Sequence, residues 1–233
     1  MANAELKLLG SWFSPFVWRV KIALNIKSVE YENVEETLNP KSQLLLQSNP
    51  VHEKVPVLLH GDKPICESRI TVEYIDEVWN TGPSILPADA YDRAMARFWA
   101  AYIDDKCFVA MRKALLEEDE EARKPYLGQV EDVLVTMEGE LQKYCKEGKG
   151  YFGGDEIIGL VDITFGSLMR WLSAIETMSG RKMLVEEKHP GLVKWAERLS
   201  SDAHVKGLIP ETEKLIGYAE ALKIRLKASA TAK

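Results

Sequence analysis

The stretch Thr81 to Asp89, Thr-Gly-Pro-Ser-Ile-Leu-Pro-Ala-Asp, sets two prolines and a glycine between segments whose hydrophobic patterns differ in kind. Before it, short alternating runs interchange with helical ones. Glu5 to Leu9 alternates polar and apolar and stops at Gly10, as a short strand does. Ser14-Pro15 then opens a helix in which Val17, Val20 and Leu24 recur at helical spacing, with a hydroxyl at the cap and proline at the first helical position. A strand is expected near Val29 to Val34 and a helix from Lys41 to Gln47. The apolar run Val55 to Leu59, a further edge strand at Pro64 to Cys66, and a helix from Glu67 to Trp79 complete the order βαβαββα. That order describes a small sheet covered by helices.

After the break the strand signals vanish. Tyr91 to Glu118 reads as one long amphipathic helix and Tyr126 to Tyr144 as another, with an interruption from Gly148 to Gly154. Val161 to Met178 is a very apolar helix, followed by shorter ones at Leu192 to Leu199 and Glu211 to Leu222. Ala228 to Lys233 is small and polar enough to fray. The expected fold class is therefore α/β plus all-α. A mixed unit over 1–80 joins an all-helical unit over 91–233 through a linker at 81–90.

Of the 233 residues, 46% are hydrophobic and 28% charged, enough to bury an ordinary globular core. Acidic residues outnumber basic ones, 36 to 30, which argues against a protein that tracks nucleic-acid phosphates. Met1 to Glu5 carries no basic region, and no run approaches the ~20 apolar residues of a membrane span, so neither a secretory signal nor a membrane association is expected. The cysteines Cys66, Cys107 and Cys145 form no CxxC pair and read as reduced thiols of a cytoplasmic protein. His52, His60, His189 and His204 lack metal-ligand spacing, and no metal is expected.

Several residue types point to chemistry at the first domain's helix starts. Ser14, at a helix N-cap, sits where free backbone amides and the helix dipole favour negative charge, so a thiolate brought there would be stabilised and could accept a hydrogen bond from the hydroxyl. Ser14 also caps its own helix, a common role for such a residue. Pro56 inside an apolar strand marks an edge or a special turn; a cis bond after Val55 would free the Val55 backbone to pair with an extended peptide. At Glu67-Ser68, helix amides and a hydroxyl suit a carboxylate while Glu67 suits an ammonium, a receptor for the zwitterionic end of an amino acid. Plain capping is the alternative there. Lys41 and Lys54 add positive charge nearby in sequence. Trp12, Phe13 and Phe16 flank Ser14 and would form one wall of an apolar pocket.

Four motifs carry a resemblance. Ser14-Pro15-Phe16-Val17-Trp18-Arg19-Val20, Lys41-Ser42, Asn49-Pro50-Val51-His52-Glu53-Lys54-Val55-Pro56-Val57-Leu58 and Glu67-Ser68-Arg69-Ile70 stand in the order typical of plant tau-class glutathione transferases. Phe98-Trp99-Ala100-Ala101-Tyr102-Ile103-Asp104-Asp105-Lys106 is similar to that class as well. The resemblance implies a thioredoxin-like N-terminal domain, an all-helical C-terminal domain, and a cytosolic homodimer that conjugates glutathione to hydrophobic electrophiles. Glutathione enters as co-substrate, and no cofactor is implied. By the resemblance, Ser14 holds the glutathione sulfur as thiolate, Val55 pairs with the cysteinyl backbone, Glu67 and Ser68 hold the γ-glutamyl group, and Lys41 and Lys54 approach the glycyl carboxylate. Cys107, Met111 and Trp171 would join Trp12 and Phe16 around the electrophile.

Two positions depart from the family pattern. Glu53 stands where a basic residue is frequent, and Gly159 replaces a hydroxyl residue ahead of Asp162, which reads as a structural cap. A thiol–disulfide oxidoreductase or dehydroascorbate reductase of the same architecture needs cysteine at the helix start, where this chain has Ser14. Peroxide reduction by the same thiolate and non-catalytic carriage of apolar ligands are the alternatives the sequence allows.

Overall fold

The computed structural model describes residues 5–80, 82–144, 150–154 and 156–231. Cys145, Thr81, the start of the glycine-rich interruption and both chain ends, each singled out above, lie outside these residues. The first part follows the expected order: β1 (Leu6–Gly10), α1 (Pro15–Ile26), β2 (Glu32–Glu35), α2 (Gln43–Ser48), β3 (Val57–His60), β4 (Lys63–Cys66) and α3 (Ser68–Val78). The sheet order is β2-β1-β3-β4, with β1 parallel to β2 and antiparallel to β3, and β3 antiparallel to β4. This is the mixed four-stranded sheet of a thioredoxin-like domain.

Residues between β1 and α1 are held by close approach. A side chain on Gly10 would meet Val17 Cγ1 at 2.6 Å, so only glycine lets the strand end sit against the helix. Ser11 Oγ donates to the Glu36 carbonyl at 2.6 Å, tying the start of the connection to the end of β2. Ser14 then occurs at the α1 N-cap in extended backbone conformation.

The helical part runs α4 (Ala90–Tyr102), a π-helical turn (Ile103–Phe108), α5 (Val109–Leu116), α6 (Glu120–Tyr144), α7 (Leu160–Ser179), α8 (Pro190–Ser201) and α9 (Thr212–Thr231). The single helix expected over Tyr91 to Glu118 is thus interrupted. The apolar spacing persists through the π turn, so periodicity alone does not register it. The turn presents Asp104 to Arg19, whose buried guanidinium it meets at 2.7 Å. Helix α6 starts six residues earlier than Tyr126, ahead of Pro125. Its cap is Asp119, whose Oδ1 accepts from the Ala122 amide at 2.8 Å, and Glu120 and Glu121 follow in the first turn. Helix α9 extends to Thr231, beyond both its expected end at Leu222 and the start of the segment expected to fray.

One apolar core runs from β1 and α1 through α7 to α8, with Leu8, Trp18, Phe165 and Trp195 fully buried. Helix α7 is central, buried on nearly all sides from Leu160 to Leu168, as an all-round apolar helix should be. Its N-terminus is fixed by Asp162, which accepts from the amides of Phe152, Gly153 and Gly159, each at 2.9 Å, and from Trp195 Nε1 at 2.8 Å. Burial pushes the Asp162 carboxyl up to about 6, with the four N–H donors pulling the other way. Asp162 therefore occupies a structural position remote from solvent. No helix among the described residues is long and apolar enough to cross a membrane.

Candidate active site

Two clefts meet beside the start of α1. The larger, about 870 Å³, is lined by Lys54, Val55, Pro56, Glu67, Ser68 and Arg112, among others. The smaller, about 210 Å³, is mainly apolar and is lined by Phe13, Ser14, Met111, Leu168, Trp171 and Tyr218 with their neighbours. Phe16, Phe108 and Arg112 belong to both and form the ridge between them. The rings of Phe16 and Phe108 meet edge-on, 4.8 Å between centroids.

Ser14 sits at the mouth of the apolar cleft, 6% exposed. Its Oγ accepts from the Val17 amide at 3.4 Å, a long capping bond, while the main-chain carbonyl of Ser14 receives the Val17 and Trp18 amides. The hydroxyl proton has no acceptor among the described residues. It is therefore available to a ligand at a point where the helix dipole favours an anion.

Glu67 is the N-cap of α3, yet its side chain makes no capping bond. Its backbone is left-handed, φ 68°, a conformation unusual for a residue with a Cβ and recurrent at ligand sites. The carboxylate stays 55% exposed, with the His52 imidazole Nε2 3.9 Å away. The first amides of α3, from Ser68 on, have no intrahelical partner. The Ser68 hydroxyl accepts from Arg19 Nη1 at 3.4 Å.

The loop between α2 and β3 is shaped by Asn49, which is buried. Its Nδ2 donates to the Lys54 carbonyl at 3.0 Å and its Oδ1 accepts from the His52 amide at 3.2 Å. The Val55–Pro56 peptide is cis. Val55 lies ahead of the ladder that begins at Val57, so no strand neighbour occupies its backbone groups.

Pairing decides the charge left over in the larger cleft. Arg97 is bound to Glu73 at 2.6 Å, and Arg69 shares Asp104 with Arg19. Lys54 and Arg112 make no ion pair among the described residues. Two cations and the exposed Glu67 carboxylate therefore face this cleft, besides the α3 amides. That set suits a ligand with two carboxylates and one ammonium.

Three residues expected at the site line neither cleft. Lys41 is held in an ion pair with Glu53, Nζ to Oε2 at 2.9 Å. Cys107 is buried; its Sγ donates to Met111 Sδ at 3.5 Å, and burial pushes the thiol up to about 12. It packs behind the wall that Met111 forms. The Trp12 ring turns toward Tyr218, 5.7 Å away edge-on, and lies under Lys214 Nζ at 4.4 Å. Phe13 does line the apolar cleft, as expected, stacked on Tyr218 at 3.8 Å, with its carbonyl accepting from Trp171 Nε1 at 3.1 Å.

Sequence reasoning passed over Phe108, Arg112 and Tyr218. Tyr218 and Leu222 share a face of α9 with Leu215 at helical spacing, a signal that was present. The π turn, which ends at Phe108, re-aims the helix, and nothing in the spacing marks that change. Among the described residues, no cluster of three His, Cys, Asp or Glu side chains could hold a metal ion.

Family models place this geometry in context. The model for "Glutathione S-transferase, N-terminal domain" matches residues 4–77 and that for "Glutathione S-transferase, C-terminal domain" residues 90–203. Glutathione S-transferase U17 of Arabidopsis thaliana is 52% identical over 95% of this chain and 97% of its own. A tau-class glutathione S-transferase from mango is 53% identical, with TM-score 0.89 over 95% of this chain and all of its own. A rice glutathione transferase solved in complex with glutathione is 36% identical, with TM-score 0.85 over 94% of this chain and 98% of its own.

Proposed function

The chain belongs to the tau class of the glutathione S-transferase family, and we propose that it catalyses conjugation through a glutathione thiolate held by the Ser14 hydroxyl. As a glutathione transferase it uses glutathione as co-substrate. The observation that carries the serine's role is the unaccepted Ser14 hydroxyl proton at the N-terminus of α1, facing the apolar cleft.

In this reading the tripeptide lies in the larger cleft. Glu67 receives its ammonium, Ser68 and the α3 amides its γ-glutamyl carboxylate, the Val55 backbone its cysteinyl unit, and Lys54 its glycyl carboxylate. Lys41 is held by Glu53 and is not among the residues lining this cleft. Hydrophobic electrophiles enter the apolar cleft between Phe16, Met111 and Trp171.

Magnitudes support the assignment. An unperturbed thiol has a pKa of about 8.5, and lowering it by about two units takes roughly 2.7 kcal/mol. A charge-assisted hydrogen bond contributes ~1.5–3 kcal/mol and a helix terminus ~0.3–1 kcal/mol. Ionisation raises the thiolate fraction about 25-fold, but the accompanying loss of nucleophilicity takes back about 8-fold. Most of the acceleration then comes from holding the electrophile beside the sulfur, which is the apolar cleft's task.

Organic hydroperoxides reach the same sulfur: the thiolate takes the terminal oxygen, releasing the alcohol, and a second glutathione closes the disulfide with loss of water. Residues 81–90 act as the linker between domains over 1–80 and 91–233. A cytoplasmic homodimer fits the exposed apolar side chains of α3 and α4, among them Ile70, Val78, Tyr91 and Phe98.

Conjugation of a model aryl halide tests the function. Wild-type protein should form the conjugate well above the uncatalysed rate, and Ser14→Ala should lose most of that rate while still binding glutathione. Tight binding of apolar dyes with no rate increase would assign the protein to carriage instead.

A further inference from the structure

The side of the helix that borders both clefts is an apolar stripe with one exception. Phe108, Met111, Arg112 and Leu115 recur at helical spacing, and all four line the smaller cleft. Three are apolar. The fourth, an arginine, is the one charged side chain among the described residues lining that cleft. It also lines the larger cleft, and it is exposed.

Ion pairing leaves this cation free. The acidic side chains along the larger cleft are Glu67, Glu73 and Asp104. Glu73 holds Arg97, and Asp104 holds Arg19 and Arg69. With glutathione bound as above, Glu67 takes its ammonium, the start of α3 one carboxylate and Lys54 the other. Arg112 is left over once every charge on the tripeptide has been matched. A wall serving only neutral apolar molecules would be completed by another apolar side chain, because a ligand that covers a guanidinium strips its hydration.

We propose that Arg112 is a specificity-determining residue that selects electrophiles carrying a carboxylate on an apolar body, the carboxylate at the ridge and the body in the smaller cleft. The inference rests on the glutathione-transferase reading and names the substrate class of the same site. A planar guanidinium matches a carboxylate in bidentate fashion. Ser14 lines the cleft that receives the apolar body, so the ion pair and the sulfur address two ends of one substrate. Because Arg112 is exposed, solvent screens the pair, and the gain in selectivity is about two- to five-fold.

The experiment compares 4-chloro-3-nitrobenzoate with its methyl ester at saturating glutathione, in wild type, Arg112→Met and Arg112→Lys. Both substrates react by one step: the thiolate sulfur bonds to the chlorine-bearing ring carbon, and the C–Cl bond breaks with its electron pair leaving on chloride. Arg112→Met keeps an apolar stem and removes the charge. It should lower the benzoate-to-ester ratio of kcat/KM about two- to five-fold, and Arg112→Lys should recover part of that loss. Added salt should erode the ratio in wild type and leave it in place in Arg112→Met. A ratio equal in wild type and Arg112→Met would overturn the proposal. So would a rise in the KM for glutathione that matches the loss for the benzoate, which would assign the arginine to the tripeptide. Either result leaves glutathione transfer intact. A wild-type protein that turns over neither electrophile and does not bind glutathione by calorimetry would overturn the parent reading, and this one with it.

Discussion

Arg19 Nη2 lies 2.7 Å from Asp104 Oδ1, with Nη1 3.2 Å from Oδ2, so a fully buried guanidinium grips a carboxylate presented by the π-helical turn. The same group donates from Nε to Ser167 Oγ at 3.0 Å and reaches Ser68 Oγ. One side chain of α1 thereby joins α3, the π turn and α7 directly behind the clefts. Desolvation lowers the Arg19 pKa and the Asp104 carboxylate opposes that shift, while the guanidinium itself stays charged.

Arg19→Leu should destabilise the protein by about 3 kcal/mol, because one partner of a buried pair is removed. The expected cost lies at the low end of such losses since Arg69 Nε still reaches Asp104 at 3.1 Å. Urea unfolding followed by circular dichroism measures it. A midpoint shift worth less than ~0.5 kcal/mol would mean the pair does not hold these elements together.

Asp162 carries a prediction with a definite sign. Its folded-state value, about 6, lies above the ordinary 3.8 because burial disfavours the charge. The stability linked to this group is therefore fully present below the unfolded value and is lost as pH rises through about 6. Measured by urea unfolding against Asp162→Asn, which does not titrate, the wild type's relative stability should decline between about pH 4 and pH 7. A rise over that window would contradict the assignment. Asp162→Ala should cost at least ~3 kcal/mol at any pH, as it leaves four buried N–H donors without an acceptor.

Cys107 should be chemically silent in the native protein. Burial pushes its thiol up to about 12, so almost no thiolate exists near neutral pH. Alkylation followed by peptide mapping should label Cys107 at least ~100-fold more slowly in the native than in the unfolded protein. Comparable rates would show that the thiol reaches solvent and would return it to the list of cleft-facing groups.

The order of elements and most of their ends could be read from the sequence, because caps and apolar spacing are local properties. Ser14 before Pro15 and Asn49-Pro50 before the β3 run announced themselves in this way. What escaped depended on long-range packing. Cys107 and Phe108 are adjacent in sequence, yet one is sealed behind Met111 while the other forms the ridge between the clefts, and the intervening helix geometry decides which. Phe13 lines the apolar cleft as expected, stacked on Tyr218 from the far end of the chain, while Trp12 does not. Likewise no spacing revealed that Glu53 would engage Lys41 across the turn. The four-stranded domain was legible, and so was the anion-favouring character of the α1 start; which neighbours complete each wall was not.

The most direct test of the account is titration of the thiol of bound glutathione by its ultraviolet thiolate absorbance, in wild type and in Ser14→Ala. With the hydroxyl in place the bound thiol should titrate about two units below its ordinary ~8.5, and the variant should return most of the way to that value. Identical titration curves in the two proteins would contradict the claim that Ser14 keeps the sulfur ionised.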